Sequence, residues 1–128
     1  MLNLLLIFVG GGLGTLARWA VSGLVARRIG ETFPWDTIAV NVTGCFIIGV
    51  FAALTGPEGR AQAPASFRQF FMIGICGGYT TFSAFGLQTL TLAEDGEWFK
   101  AGANAVLSLV LCLFGVWLGH TLAVGINK

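Results

Sequence analysis

Four long apolar stretches divide the sequence, and they constrain its fold more than any other feature. They run from Leu2 to about Ala26, from about Thr37 to Thr55, from about Phe70 to Ala93, and from about Phe99 to Ile126. A helix of about 20 residues crosses the hydrocarbon core of a bilayer, and each stretch is of that order. Inside a bilayer no water is available to backbone amides and carbonyls, so a crossing segment must pair them internally. The expected fold is an all-α integral membrane protein of four transmembrane helices, with residues 1–128 forming a single four-helix transmembrane domain. Trp19, Trp35 and Trp98 fall near the ends of stretches, where indole rings anchor at the lipid–water interface. Trp117, inside the fourth stretch, has no such placement.

Composition agrees with lipid as the main solvent. Charged residues make up 10% of the chain, against about 25% in an ordinary soluble domain. Nearly all of them lie in three short connectors, Arg27 to Asp36, Gly56 to Arg68 and Glu94 to Lys100, which also hold Pro34, Pro57 and Pro64. A net charge of +1 with no basic stripe leaves nothing to bind nucleic acid. The first stretch lacks a positive leading region and carries Arg18 near its far end, so it does not read as a cleaved signal peptide. Cys45, Cys76 and Cys112 share no close spacing and His120 is the only histidine. That excludes a disulfide framework and a zinc site, and leaves the cysteines as small buried apolar side chains.

The charges also bear on orientation. Four crossings put both termini and the second connector on one side, with Arg60, Arg68 and Lys128; Arg27, Arg28 and Lys100 fall on the other. Three cations against three give the positive-inside rule no preference. A chain that inserts both ways round needs such a balance, and two opposed copies can then pair about an axis in the membrane plane. Chance balance in a weakly charged protein gives the same count.

Small and polar residues form stripes. Asn104, Ser108, Cys112, Gly115 and Gly119 keep one face of the fourth helix, as Asn41, Cys45, Gly49 and Ala53 do in the second. Gly10, Gly14 and Arg18 do so in the first. Small-xxx-small faces are common helix-packing surfaces. Asn41 and Asn104 ask for more, because an amide at membrane depth needs a partner or a hydrated cavity. Gly12 to Ala17 matches G-x-G-x-x-A, but it lies inside an apolar span with no strand–turn–helix unit, so a dinucleotide loop is rejected.

The third stretch holds the segment Gly74-Ile75-Cys76-Gly77-Gly78-Tyr79-Thr80-Thr81-Phe82-Ser83-Ala84-Phe85. A double glycine followed by two threonines and a serine favours a broken helix near mid-span, which is tolerated only where protein surrounds it or water lines it. Broken helices present carbonyls to cations and N–H groups to anions. Phe82 and Phe85, three residues apart, share a helical face; their positive ring edges can meet an anion without trapping it as a full charge would. Thr81, Ser83, Gln88, Ser108 and Asn41 can donate hydrogen bonds in place of lost hydration.

These residues resemble the Fluc (CrcB-type) fluoride channel family along the whole chain. The motifs that carry the resemblance are Gly77 to Phe85, Thr37 to Phe46, and Gly10 to Trp19 ending in Arg18-Trp19. It implies an antiparallel, dual-topology homodimer with two pores in a bacterial inner membrane, exporting fluoride passively. Phe82 and Phe85 then line the fluoride path with Asn41, alongside Thr81, Ser83, Gln88, Ser108 and Cys112. Backbone carbonyls of Gly77 and Thr80 from both copies hold a structural, untransported sodium ion. Arg18 is either a vestibule or helix-tethering group, or a side chain snorkelling to the interface. Gln88 stands where the family usually has glutamate, and Cys112 where it has serine.

Two other classes fit less well. A small multidrug or cation exporter can also be a four-helix dual-topology dimer, but it needs a titratable carboxylate at membrane depth, and all six acids here lie in connectors. A purely structural membrane protein explains the glycines but not Asn41 beside the Thr/Ser/Phe segment. No nucleophile–base pair or paired carboxylates suggest an enzyme.

Overall fold

The computed structural model describes residues 1–128, and the chain is all helix and connector. The elements are α1 (Leu2–Ile29), α2 (Trp35–Thr55), α3 (Ala65–Arg68), a π-helical stretch (Gln69–Cys76), α4 (Gly77–Tyr79), α5 (Phe82–Glu94) and α6 (Trp98–Asn127). Grouped by length and apolarity they make four helices able to cross a membrane: α1, α2, the run Ala65–Glu94, and α6. This is a multi-pass membrane protein. Each helix runs a few residues past its apolar stretch, because hydrogen bonding continues until a cap stops it. Gly30, at φ 97°, stops α1 with its N–H on the Ala26 carbonyl, and Gly96, at φ 78°, follows α5.

Side-chain bonds fix which ends lie together. Arg60 donates from Nη1 to the Ile126 carbonyl at 3.0 Å and from its backbone N–H to Asn127 Oδ1 at 3.1 Å. Asn127 in turn donates to the Ala53 carbonyl at 3.1 Å. The second connector is thereby tied to the C-terminal end of α6. Arg68 reaches Thr55 Oγ1 and places its charge at the C-terminal end of α2, where the helix dipole favours a cation. At the opposite end of the bundle Ser22 donates to Asp36.

Close approach of backbones sets the packing. The most extensive contact joins α2 to α6, and the next joins α1 to the π-helical stretch and α4. A side chain at Gly49 would strike the Val116 carbonyl, and one at Gly119 the Phe46 carbonyl. Gly14 and Gly78 play the same part between α1 and the third crossing, against the carbonyls of Ile75 and Gly11. Only 18 of 128 residues are buried, and Leu, Phe, Val and Trp side chains cover the outside. In water such a surface would aggregate; in lipid it is the solvated face.

The third crossing is irregular in a particular place. Gly77 stays helical at φ −64°, ψ −36°, and Gly78 lies within α4, where its missing side chain lets the Gly11 backbone of α1 approach. The extended residues are Thr80 (φ −86°, ψ 160°) and Thr81 (φ −153°, ψ 115°). Helical backbone stops at Tyr79 and resumes at Phe82.

Candidate functional site

Two extended residues between helices leave backbone groups without their helical partners, and Asn41 on α2 takes up the pair at Thr81. Its Nδ2 donates to the Thr81 carbonyl at 2.9 Å, and the Thr81 N–H donates to its Oδ1 at 2.7 Å. An amide carries two N–H donors, so one remains free. Thr81 then caps α5, its Oγ1 accepting the Ala84 N–H at 3.2 Å and standing 3.2 Å from Ser83 Oγ. Thr80 turns back, donating from both N–H and Oγ1 to the Cys76 carbonyl at 3.0 and 2.9 Å.

Asn41, Thr81, Phe82, Phe85, Ser108 and Cys112 line one groove of about 590 Å³, together with Gly77 and Thr80. The Phe82 and Phe85 rings lie in the first turn of α5, with centroids 5.2 Å apart and planes at 45°. Phe82 is 82% exposed in the single chain, so its ring stands at the open side of the groove. The groove wall carries no carboxylate, lysine, arginine or histidine. What it offers an anion is neutral: ring edges, thiols and the spare N–H of Asn41.

Behind the groove a hydrogen-bonded chain joins α6 to α5. Ser108 Oγ donates to Asn104 Oδ1 at 3.3 Å, Asn104 Nδ2 to Thr89 Oγ1 at 2.9 Å, and Thr89 Oγ1 to the Phe85 carbonyl at 2.8 Å. Asn104 and Ser108 are buried. The partner that Asn104 required is Thr89, which sequence reasoning missed; its place four residues after Phe85 was the available signal. In this arrangement the Ser108 proton points to Asn104, so the hydroxyl faces the groove as an acceptor.

Arg18 and Gln88 lie elsewhere. They line a second cavity of about 580 Å³ with Thr81, Ser22 and, from the first connector and the start of α2, Glu31 and Asp36. Thr81 is common to both cavities and stands between them. Arg18 Nη1 lies 3.4 Å from the Thr80 carbonyl, tying α1 to the extended residues. Gln88 Oε1 is buried without a hydrogen-bond partner. Ser83 is exposed and lines neither cavity.

The carbonyls of Gly77 and Thr80 have a common property. The amide four residues beyond Gly77 is that of Thr81, which goes to Asn41; the amide four beyond Thr80 is that of Ala84, which goes to Thr81 Oγ1. The diverted amides leave the Gly77 oxygen without its helical donor, while the Thr80 oxygen faces Arg18 Nη1. Hard carbonyl oxygens of this kind suit an alkali cation, and Gly77 lies on an exposed face of the chain.

The family profile described as "CrcB-like protein, Camphor Resistance (CrcB)" matches residues 5–120, a span that contains every residue of both cavities. The chain belongs to the CrcB family. Its CrcB-family relatives include a Rhodospirillum rubrum protein named fluoride-specific ion channel FluC, 57% identical over 124 residues, 97% of this chain and 96% of that protein. A protein of the same name from Opitutus terrae is 61% identical over 97% of this chain and 94% of its own length. Another, from Paramagnetospirillum magneticum, is 50% identical over the full length of both.

Proposed function

We propose that this chain is a fluoride-selective channel that passively relieves the cytoplasm of fluoride. The observation that carries the reading is the groove in which Asn41, Phe82 and Phe85 meet without an ionised side chain. A small, strongly hydrated anion must exchange water for fixed dipoles to pass. One spare amide N–H, weakly polar ring edges and a Thr81 junction supply contacts that replace hydration without binding the ion too tightly to leave. The relatives' names point to the same anion. Hydrogen fluoride enters cells as a neutral acid and dissociates in the more alkaline interior, and membrane potential drives the trapped anion out through a conducting path. The process is dehydration and rehydration, with no bond made or broken.

The working unit is an antiparallel, dual-topology homodimer in the bacterial inner membrane. The balance of three cations on each side supports it, as do Phe82 and Gly77 on open faces of the single chain. In that unit the break of the third helix at Thr80–Thr81 is the shared centre. Carbonyls of Gly77 and Thr80 from both copies hold a structural sodium ion, which supplies positive charge that fixes the unwound backbone and is not transported. The exporter alternative is disfavoured because no carboxylate reaches the groove. The test is growth rescue: a bacterium stripped of its own fluoride export and expressing this chain should grow on fluoride medium that stops the parent. Failure to rescue, with the protein present in the membrane, contradicts the reading.

A further inference from the structure

The hydrogen-bonded chain from Ser108 through Asn104 and Thr89 to the Phe85 carbonyl has one side chain at the groove and two behind it. Ser108 lines the groove with Asn41, Phe82 and Phe85; Asn104 and Thr89 do not. Asn104 is 1% exposed, so both ends of its amide depend on protein partners. With Oδ1 toward Ser108 and Nδ2 toward Thr89, every proton in the chain runs away from the groove and ends on the Phe85 carbonyl, 2.8 Å from Thr89 Oγ1. In this direction Ser108 has only lone pairs to show an anion.

The same atoms support the opposite direction. The two ends of an amide are alike in size, so a half-turn exchanges them without repacking. The 3.3 Å between Ser108 and Asn104 is long for an O–H donor, which takes about 2.5–3.0 Å, and nearer the ~2.7–3.2 Å of an N–H donor. The 2.9 Å to Thr89 suits either. After the half-turn Asn104 Nδ2 donates to Ser108, Thr89 donates to Asn104 Oδ1, and the Ser108 proton is released to the groove. The one bond given up is that from Thr89 to the Phe85 carbonyl, which lies inside α5 and has the amide one turn on as its helical partner. An anion beside Ser108 replaces that bond with a charge-assisted one. We propose that Asn104 and Thr89 are positioning residues of the anion path, a reversible chain that holds the Ser108 proton inward and turns it to the groove when an anion arrives. Thr89 serves both directions because a hydroxyl can accept from Nδ2 or donate to Oδ1. The inference rests on the fluoride-channel reading of the groove.

Nuclear magnetic resonance of the full chain in detergent, labelled at its four asparagines (Asn3, Asn41, Asn104 and Asn127), reads the amide directly. Sodium fluoride should shift the Asn104 side-chain N–H pair, and sodium chloride should not. The shift should vanish in Ser108→Ala, persist in Thr89→Ser and shrink in Thr89→Val, where nothing holds the resting direction. An Asn104 pair unmoved by fluoride, moved as far by chloride, or moved equally in Ser108→Ala overturns the reversal. A full shift in Thr89→Val overturns the part given to Thr89. In liposomes, Asn104→Leu should slow fluoride release about tenfold, as the loss of one aimed donor to an anion would, and add nothing where Ser108 is already alanine. Equal slowing on both backgrounds contradicts a role through Ser108. If Asn104→Leu fails to fold, Thr89→Val against Thr89→Ser takes its place in the same comparison. Wild-type liposomes that release no fluoride would instead contradict the channel reading, while the resonance titration still decides the reversal.

Discussion

Asn41 on α2 and the backbone of Thr81 in the third crossing exchange two hydrogen bonds, at 2.9 and 2.7 Å, across 40 residues of sequence. The side-chain amide stands where a neighbouring peptide unit would stand in regular structure. Extended backbone between α4 and α5 is thereby satisfied at membrane depth, and α5 begins with Phe82 and Phe85 at the groove. Structure and proposed transport meet in one side chain, because the second Asn41 N–H is the donor left over for an anion.

Asn41→Ala removes both bonds and strands the Thr81 N–H and carbonyl. Each stranded group costs about 1–3 kcal/mol, so the variant should melt well below wild type and lose fluoride flux. Asn41→Asp keeps an acceptor for the Thr81 N–H but sets a negative charge against the Thr81 carbonyl and any passing anion. It should conduct no better than the alanine variant. Thermal melts in detergent and liposome efflux measure the two effects separately; an Asn41→Ala protein of wild-type stability would contradict the bracing role.

Phe82→Ile should separate transport from folding. Its ring is largely exposed in the single chain, so little folding energy depends on it. If the ring edge lowers the barrier by ~1.4 kcal/mol, its loss slows fluoride about tenfold. Efflux at the wild-type rate would remove the ring from the pathway.

Gly49→Ala should weaken the α2–α6 contact, because the new methyl group meets the Val116 carbonyl and main-chain atoms cannot swing aside. Overpacking of this kind costs about 1–3 kcal/mol. Gly102→Ala, where the methyl group meets nothing, is the matched control and should melt with wild type. Equal melting temperatures for both variants would mean that α2 and α6 can part without penalty.

Sodium should stabilise the assembled protein. Replacing sodium in the buffer with a bulky organic cation removes the mass-action contribution of an ion held only by the folded state, and the melting temperature should fall. Asn41→Ala should lose that sodium dependence, since Thr81 N–H would then be free to return to the Gly77 carbonyl. A melting temperature indifferent to sodium speaks against carbonyl coordination.

Much of the fold was legible in the sequence for a simple physical reason: lipid permits only internally bonded segments, so apolar length alone gives four helices. The stripes on the second and fourth helices were legible as well, since a helix keeps steps of three and four on one face, and those faces pack as α2 against α6. Contacts between distant residues were not. Spacing says that Asn41 and Asn104 need partners, but the partners are a backbone unit 40 residues away and a threonine on the neighbouring helix. Nor does pattern reveal that Gly77 and Gly78 stay helical while Thr80 and Thr81 extend, because either pair can interrupt a helix and the choice falls to Asn41. The separation of Arg18 and Gln88 from the Phe82 groove follows from how α1 leans on the third crossing, which is a tertiary matter.

The central claim is that a dehydrated anion crosses by neutral dipoles and ring edges with selectivity for fluoride. Liposomes loaded with equal fluoride and chloride, holding purified protein and opened with a potassium ionophore, test it when both anions are followed by electrode. The account predicts rapid release of fluoride with chloride retained. Comparable release of both anions, or of neither, would contradict it.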